Sequence, residues 1–178
     1  MDPTRADAID NSARERLNAW AFSRSLASDY PIAGGGFATF TPELFQQYAP
    51  NALDIKGPHS VYFQLLAEHG YVGLFLYLGL VLSFFVRAHR LVKYGRYHGD
   101  LIVVHYANMF RFSLVGFLTS GMFLGRAYFD YFFSIVACLV ILEKTAREEW
   151  AQSIQSDAEQ EAEPAHGEIL LPRSEVTP

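Results

Sequence analysis

The stretch Gly57–Val81, GPHSVYFQLLAEHGYVGLFLYLGLV, decides the fold. It opens on Pro58, His59 and Ser60 and then becomes an apolar run broken by Gln64, Glu68 and His69. Ser60 can cap a helix that begins at Val61. His59 then stands at the mouth of that helix, where an imidazole is a competent general base. Gln64 and Glu68 are four apart, on one helix face. An acidic side chain this far into an apolar helix is costly unless it faces a polar cavity. The competing reading is a capped interfacial helix with ordinary polar residues in its first turns.

Outward from this stretch the chain reads as a membrane protein with polar ends. Three apolar segments, about 61–86, 101–124 and 127–143, approach the ~20 residues that cross a bilayer. The expected fold is an all-α polytopic membrane protein with about three transmembrane helices and a periplasmic helix-and-loop segment. The zones are a loop segment 1–58, a first transmembrane helix 59–86 and a basic cytoplasmic loop 87–100. A second helix 101–124 follows, then an outer turn and third helix 125–143, and an acidic, disordered cytoplasmic tail 144–178. Arg87, Arg90, Lys93 and Arg96 place residues 87–100 inside, and Lys144 and Arg147 agree. Tyr128, Phe129 and Tyr131 suit an interfacial aromatic belt at the outer turn. Arg126 and Asp130, four apart there, read as an exposed structural pair.

Of the 178 residues, 51% are hydrophobic and 15% aromatic, so the modest mean hydropathy of +0.09 reflects dilution by the ends. The net charge of −5 comes mostly from the segment after Leu142. No aromatic-interleaved Lys/Arg stripe offers a surface to nucleic acid. The single cysteine, Cys138, lies in an apolar run and reads as a small core hydrophobe. No Asp-x-Asp and no His/Cys cluster suggests a metal, and no cofactor is expected. The N-terminus is polar without a leader pattern, and three helices are few for a membrane enzyme; both suggest the C-terminal portion of a longer protein.

In the external segment, Asn11 and Ser12 can open a helix that Pro31 ends. Leu17, Trp20, Ala21 and Arg24 share a face by spacing, and Arg16 is placed to lay its guanidinium on the Trp20 indole. Gly34, Gly35 and Gly36 read either as a plain turn, the preferred reading, or as an anion-binding nest. A short amphipathic piece is expected around Pro42–Tyr48. In the second apolar segment, Arg111 is expected to snorkel to the cytoplasmic face if the span begins near His105; a span from Leu101 would oblige it to pair inside the bundle.

The ordered set Arg16-x-x-x-Trp20, Pro31-x-x-Gly34 through Gly36, His59 heading an apolar helix, and Glu68-x-Gly70 within it resembles the O-antigen ligase family. SARERLNAW, GGGF and HSVYFQLLAEHG most resemble its branch of O-glycosylation ligases associated with the exosortase A system. The likeness extends over about residues 11–143. It implies a bacterial inner-membrane glycosyltransferase of many helices that moves a glycan from an undecaprenyl-pyrophosphate carrier to a hydroxyl acceptor on lipid, glycan or protein. On that resemblance His59 and Arg16 are catalytic. Gln64 and Glu68 by their helix face, and Gly35 and Gly36 by their turn, are candidates for binding substrate; Arg14 is a neighbouring candidate without the family's support, its preferred reading a solvated helix face. Ser60 departs from the asparagine common after the histidine, and the family's upstream helices would be the missing partner, without which this segment is expected to be inactive. Two alternatives stay open. One is a polysaccharide polymerase of the same superfamily; the other is a non-catalytic membrane subunit or degenerate remnant that packs through Gly116, Ser120 and Gly121.

Overall fold

The computed structural model describes residues 3–125 and 130–162. Arg126, Tyr128 and Phe129 lie outside the described residues, as does the tail beyond Ala162, so the aromatic belt and the Arg126–Asp130 pair find no description there. Five helices follow in order: α1 Pro3–Asp29, α2 Pro42–Tyr48, α3 Val61–Tyr97, α4 Leu101–Gly121 and α5 Asp130–Ala162. The described residues contain no strand.

Two helices, α3 and α4, are long and apolar enough to cross a membrane. Only 17% of each apolar window is buried within the fold. A core helix of a soluble protein would hide that surface, whereas these helices leave Phe75, Leu76, Leu82, Ile102 and Phe112 mostly uncovered. The first residues of the third expected span, 127–129, lie outside the described residues. In α5 the apolar stretch Tyr131–Leu142 is bounded by Asp130 and by Glu143 and Lys144.

The polar connections are also more helical than their composition implies. The expected loop 87–100 is helix through Tyr97, and only His98–Asp100 form the turn. Asp100 then caps α4, its carboxylate accepting the Val103 N–H at 3.0 Å. The second oxygen of Asp100 accepts the Trp150 indole N–H at 3.2 Å, and His98 stacks on Trp150 at 4.7 Å. These contacts hold the far end of α5 against the α3–α4 turn. The tail expected to be disordered from 144 is helical through Ala162. Glu, Gln, Ala and Lys are strong helix formers, and a helix already begun in the apolar part continues through them.

Two apolar clusters organise the molecule. The larger joins α3, α4 and α5 through Phe84, Leu91, Leu114, Phe132 and Leu139. The smaller joins α1, α2 and the start of α3 through Phe22, Leu26, Phe45 and Ala67. Phe22 stacks on Phe45 at 4.3 Å, which draws α2 onto α1. This corrects the expected apolar face of α1. The buried face runs through Ala19, Phe22, Ser23, Leu26 and Ala27, while Leu17 is 60% exposed and Arg24 is exposed. Thr41 caps α2 with Pro42 at its first position, an arrangement in which the missing proline N–H costs nothing.

Candidate functional site

The site forms where α1, the glycine turn and the first turns of α3 meet. Gly70 has φ 64° and ψ −163°, so α3 is broken there. The break frees carbonyls from the helical ladder, and the glycine turn supplies their donors. Gly35 N–H donates to the Ala67 carbonyl at 2.8 Å and Gly36 N–H to that of Glu68 at 3.0 Å. In return Tyr71 N–H donates to the Pro31 carbonyl at 2.8 Å. The turn thus supplies partners for the Ala67 and Glu68 carbonyls and for the Tyr71 N–H. The anion-nest reading of Gly35 and Gly36 is therefore corrected: their amides are used on α3 and are not presented to a ligand.

Trp20 and Phe63 stack with ring centroids 4.8 Å apart and planes 9° from parallel. With Pro31 bonded to Tyr71 further along, α1 and the start of α3 run side by side in the same direction. Arg16 and His59 each lie four residues before a member of the stacked pair, which places them at the same end of the junction. Arg16 is half-buried and His59 is exposed. The Trp20 ring lies on Phe63, a contact that the expected Arg16–Trp20 pairing did not anticipate.

His59 has φ 44°, a left-handed conformation that costs a non-glycine residue on the order of 1 kcal/mol or more. Ser60 is extended at φ −152° and buried, with the N-cap backbone expected of it. Its hydroxyl makes no capping bond, however, and the first helical bond runs from Gln64 N–H to the Ser60 carbonyl.

One turn below, the Gln64 amide donates to Glu68 Oε1 at 3.4 Å. Glu68 is 5% exposed, so its carboxylate is held inside the fold and has further interactions besides. Gly125 approaches the same place from the end of α4: a Cβ there would lie 3.6 Å from both Gln64 Oε1 and the His59 Cα. Beside it opens a groove of about 500 Å³ lined by Val61, Gly116, Phe117, Ser120, Gly121 and Tyr131. Gly116, Ser120 and Gly121 of α4 thus form a wall of this groove, which Val61 at the start of α3 also lines.

Arg14 is not brought to this junction. It lines a separate cavity of about 350 Å³ with Asn18, Asn51 and Asp54. Asn18, which the sequence reading passed over, ties the long loop to α1. Its amide donates to the carbonyls of Asn51 at 2.9 Å and Asp54 at 3.2 Å, and its oxygen accepts the Asn51 N–H at 2.8 Å. Lys56 pairs with Glu15 along the same seam. The only signal for this was an amide residue within an otherwise ordinary helix, which by itself names no partner.

At the other end of the bundle Glu143 accepts from Arg87 at 3.0 Å and Arg147 at 2.7 Å. Arg111 bonds Asn108 on its own helix at 3.2 Å.

Comparison with known proteins adds one match. No curated protein and no solved structure matches this chain. A family model described as O-antigen ligase matches residues 3–78, which hold Arg16, Trp20, Gly34 to Gly36, His59, Gln64, Glu68 and Gly70, so this segment is similar to that family.

Proposed function

We propose that this chain carries the acceptor-activating part of a membrane glycosyltransferase of the O-antigen-ligase kind. In this proposal the donor is a glycan on an undecaprenyl-pyrophosphate carrier, the acceptor a hydroxyl group, and the enzyme one of the exosortase-A-associated branch. The observation that supports the reading is the family match over residues 3–78, which holds Arg16, His59, Gln64 and Glu68, with the buried Glu68 bonded to Gln64 in the first turns of the apolar helix α3.

In this reading His59 takes the proton of the acceptor hydroxyl. The oxygen attacks the anomeric carbon, and the bond from that carbon to the pyrophosphate oxygen breaks. Undecaprenyl pyrophosphate leaves with the bonding pair, and the Arg16 guanidinium stabilises the charge on the diphosphate. Gln64 and Glu68 orient the acceptor beneath His59. The isoprenoid chain lies along the groove under Gly116 and Ser120. Arg14 sits in its own cavity and is not assigned to the reacting groups. Residues before Pro58 face the periplasm, the α3–α4 turn and the end of α5 face the cytoplasm, and further helices of the enzyme complete the cavity.

The test is transfer in membranes that hold the full-length enzyme, a lipid-linked glycan donor and a hydroxyl acceptor. Consumption of the donor with appearance of a glycosylated acceptor supports the reading. Elongation of the glycan itself would make the enzyme a polymerase. Absence of both, with the protein present, would leave a non-catalytic subunit.

A further inference from the structure

We infer that Trp20 is a positioning residue for His59, fixing its backbone by holding the chain on both sides of it. The inference rests on the proposed role of His59. Its geometric part stands on two independent contacts. Before His59, the indole N–H of Trp20 donates to the Pro58 carbonyl at 2.7 Å. After it, the same indole stacks on Phe63 at 4.8 Å in the first turn of α3. One rigid ring on α1 therefore spans the segment in which His59 turns.

That segment needs holding. His59 has a positive φ of 44°, whereas Ser60 beside it is extended, so the chain reverses sense over one residue. Pro58 is buried and its ring restricts φ, which leaves the Pro58 carbonyl as the handle by which a neighbour can fix the approach. With that handle released, His59 would relax toward the negative φ that a histidine ordinarily adopts. Its imidazole, exposed at the mouth of α3, would then leave the direction that this backbone gives it. The indole acts through His59 and touches no reacting atom. Its N–H is the part that phenylalanine lacks, while the stack on Phe63 is a part that phenylalanine retains.

The test compares W20F with H59A in the full-length enzyme in its native membrane. W20F is expected to accumulate normally, lower kcat at least about tenfold and leave KM within about twofold. In an H59A background, adding W20F is expected to cost nothing further. An equal loss in both backgrounds would mean that Trp20 acts independently of His59, and would overturn the inference. A second readout does not use activity. With Cys138 replaced by alanine, H59C is labelled by a maleimide in detergent, and adding W20F is expected to change the labelling rate several-fold. An unchanged rate overturns the inference. Transfer that survives H59A defeats the general-base reading instead, and the labelling rate then decides the placement of residue 59 by itself.

Discussion

Gly34 and Gly70 occupy each other's side-chain space. A Cβ on Gly34 would lie 2.6 Å from the Gly70 nitrogen, and one on Gly70 would lie 2.9 Å from the Gly34 nitrogen. Both residues have positive φ, at 65° and 64°. The kink in α3 and the turn after α1 are therefore one structure, and neither glycine can be enlarged without moving the other backbone.

Replacing either glycine with alanine is expected to destabilise the fold by at least about 2 kcal/mol, from the left-handed backbone together with overpacking against main-chain atoms. Gly36 is the internal control. It also has positive φ, at 86°, but nothing stands within 4 Å of its missing Cβ. G36A should cost about 1 kcal/mol, the backbone part alone. Thermal unfolding of the purified proteins in detergent measures the difference; equal losses for G34A and G36A would show that the close approach is not sustained.

Asn18 supplies three hydrogen bonds to the loop around residues 51–54. N18A leaves part-buried backbone groups of that loop without their partner, at an expected cost of about 1–3 kcal/mol. The loss should be local, because the loop shares few apolar contacts with α1. Limited proteolysis is the suitable measurement: cleavage near Leu53 and Ile55 should accelerate several-fold in N18A, while the α3–α4 bundle keeps its resistance.

These two cases also mark what the sequence could tell. The start of α3 was legible because Ser60 stands ahead of an apolar run, and the end of α1 because Pro31 follows it. The break at Gly70 was not, since a glycine inside an apolar helix reads as a small packing residue until its partner, Gly34, is known. The buried face of α1 escaped for a similar reason. Leu17 and Trp20 have the spacing of a core stripe, but the surface that α2 presents to α1, centred on Phe45, selects Phe22 and Leu26 instead. The charged stretches around Arg90 and Glu149 were read as loop and tail from polarity alone. Helix propensity, and the anchoring of Trp150 on Asp100, make them helix. Arg16, His59 and Glu68 were legible as members of an ordered motif, whereas the hydrogen bond and ring stack by which Trp20 flanks His59 join residues distant in sequence.

Asp100 joins two elements, capping α4 with one oxygen and accepting from Trp150 with the other. D100A removes both bonds, whereas W150F removes one and keeps a ring against His98. D100A is therefore expected to cost about 1–2 kcal/mol and W150F about 1 kcal/mol or less. Because Trp150 lies far along α5, hydrogen exchange of residues 144–162 should rise in both variants, with α4 loosened only in D100A. Equal effects of the two changes on α4 would contradict the capping role.

The central claim is that the imidazole of His59 activates the acceptor at the mouth of α3. Its most direct test is the rate of glycan transfer by H59A in the full-length enzyme, normalised to the amount of protein in the membrane. A loss of about 10²–10⁴-fold is expected, the range that a positioned general base contributes, with the protein at its normal level. Transfer at the unsubstituted rate would contradict it.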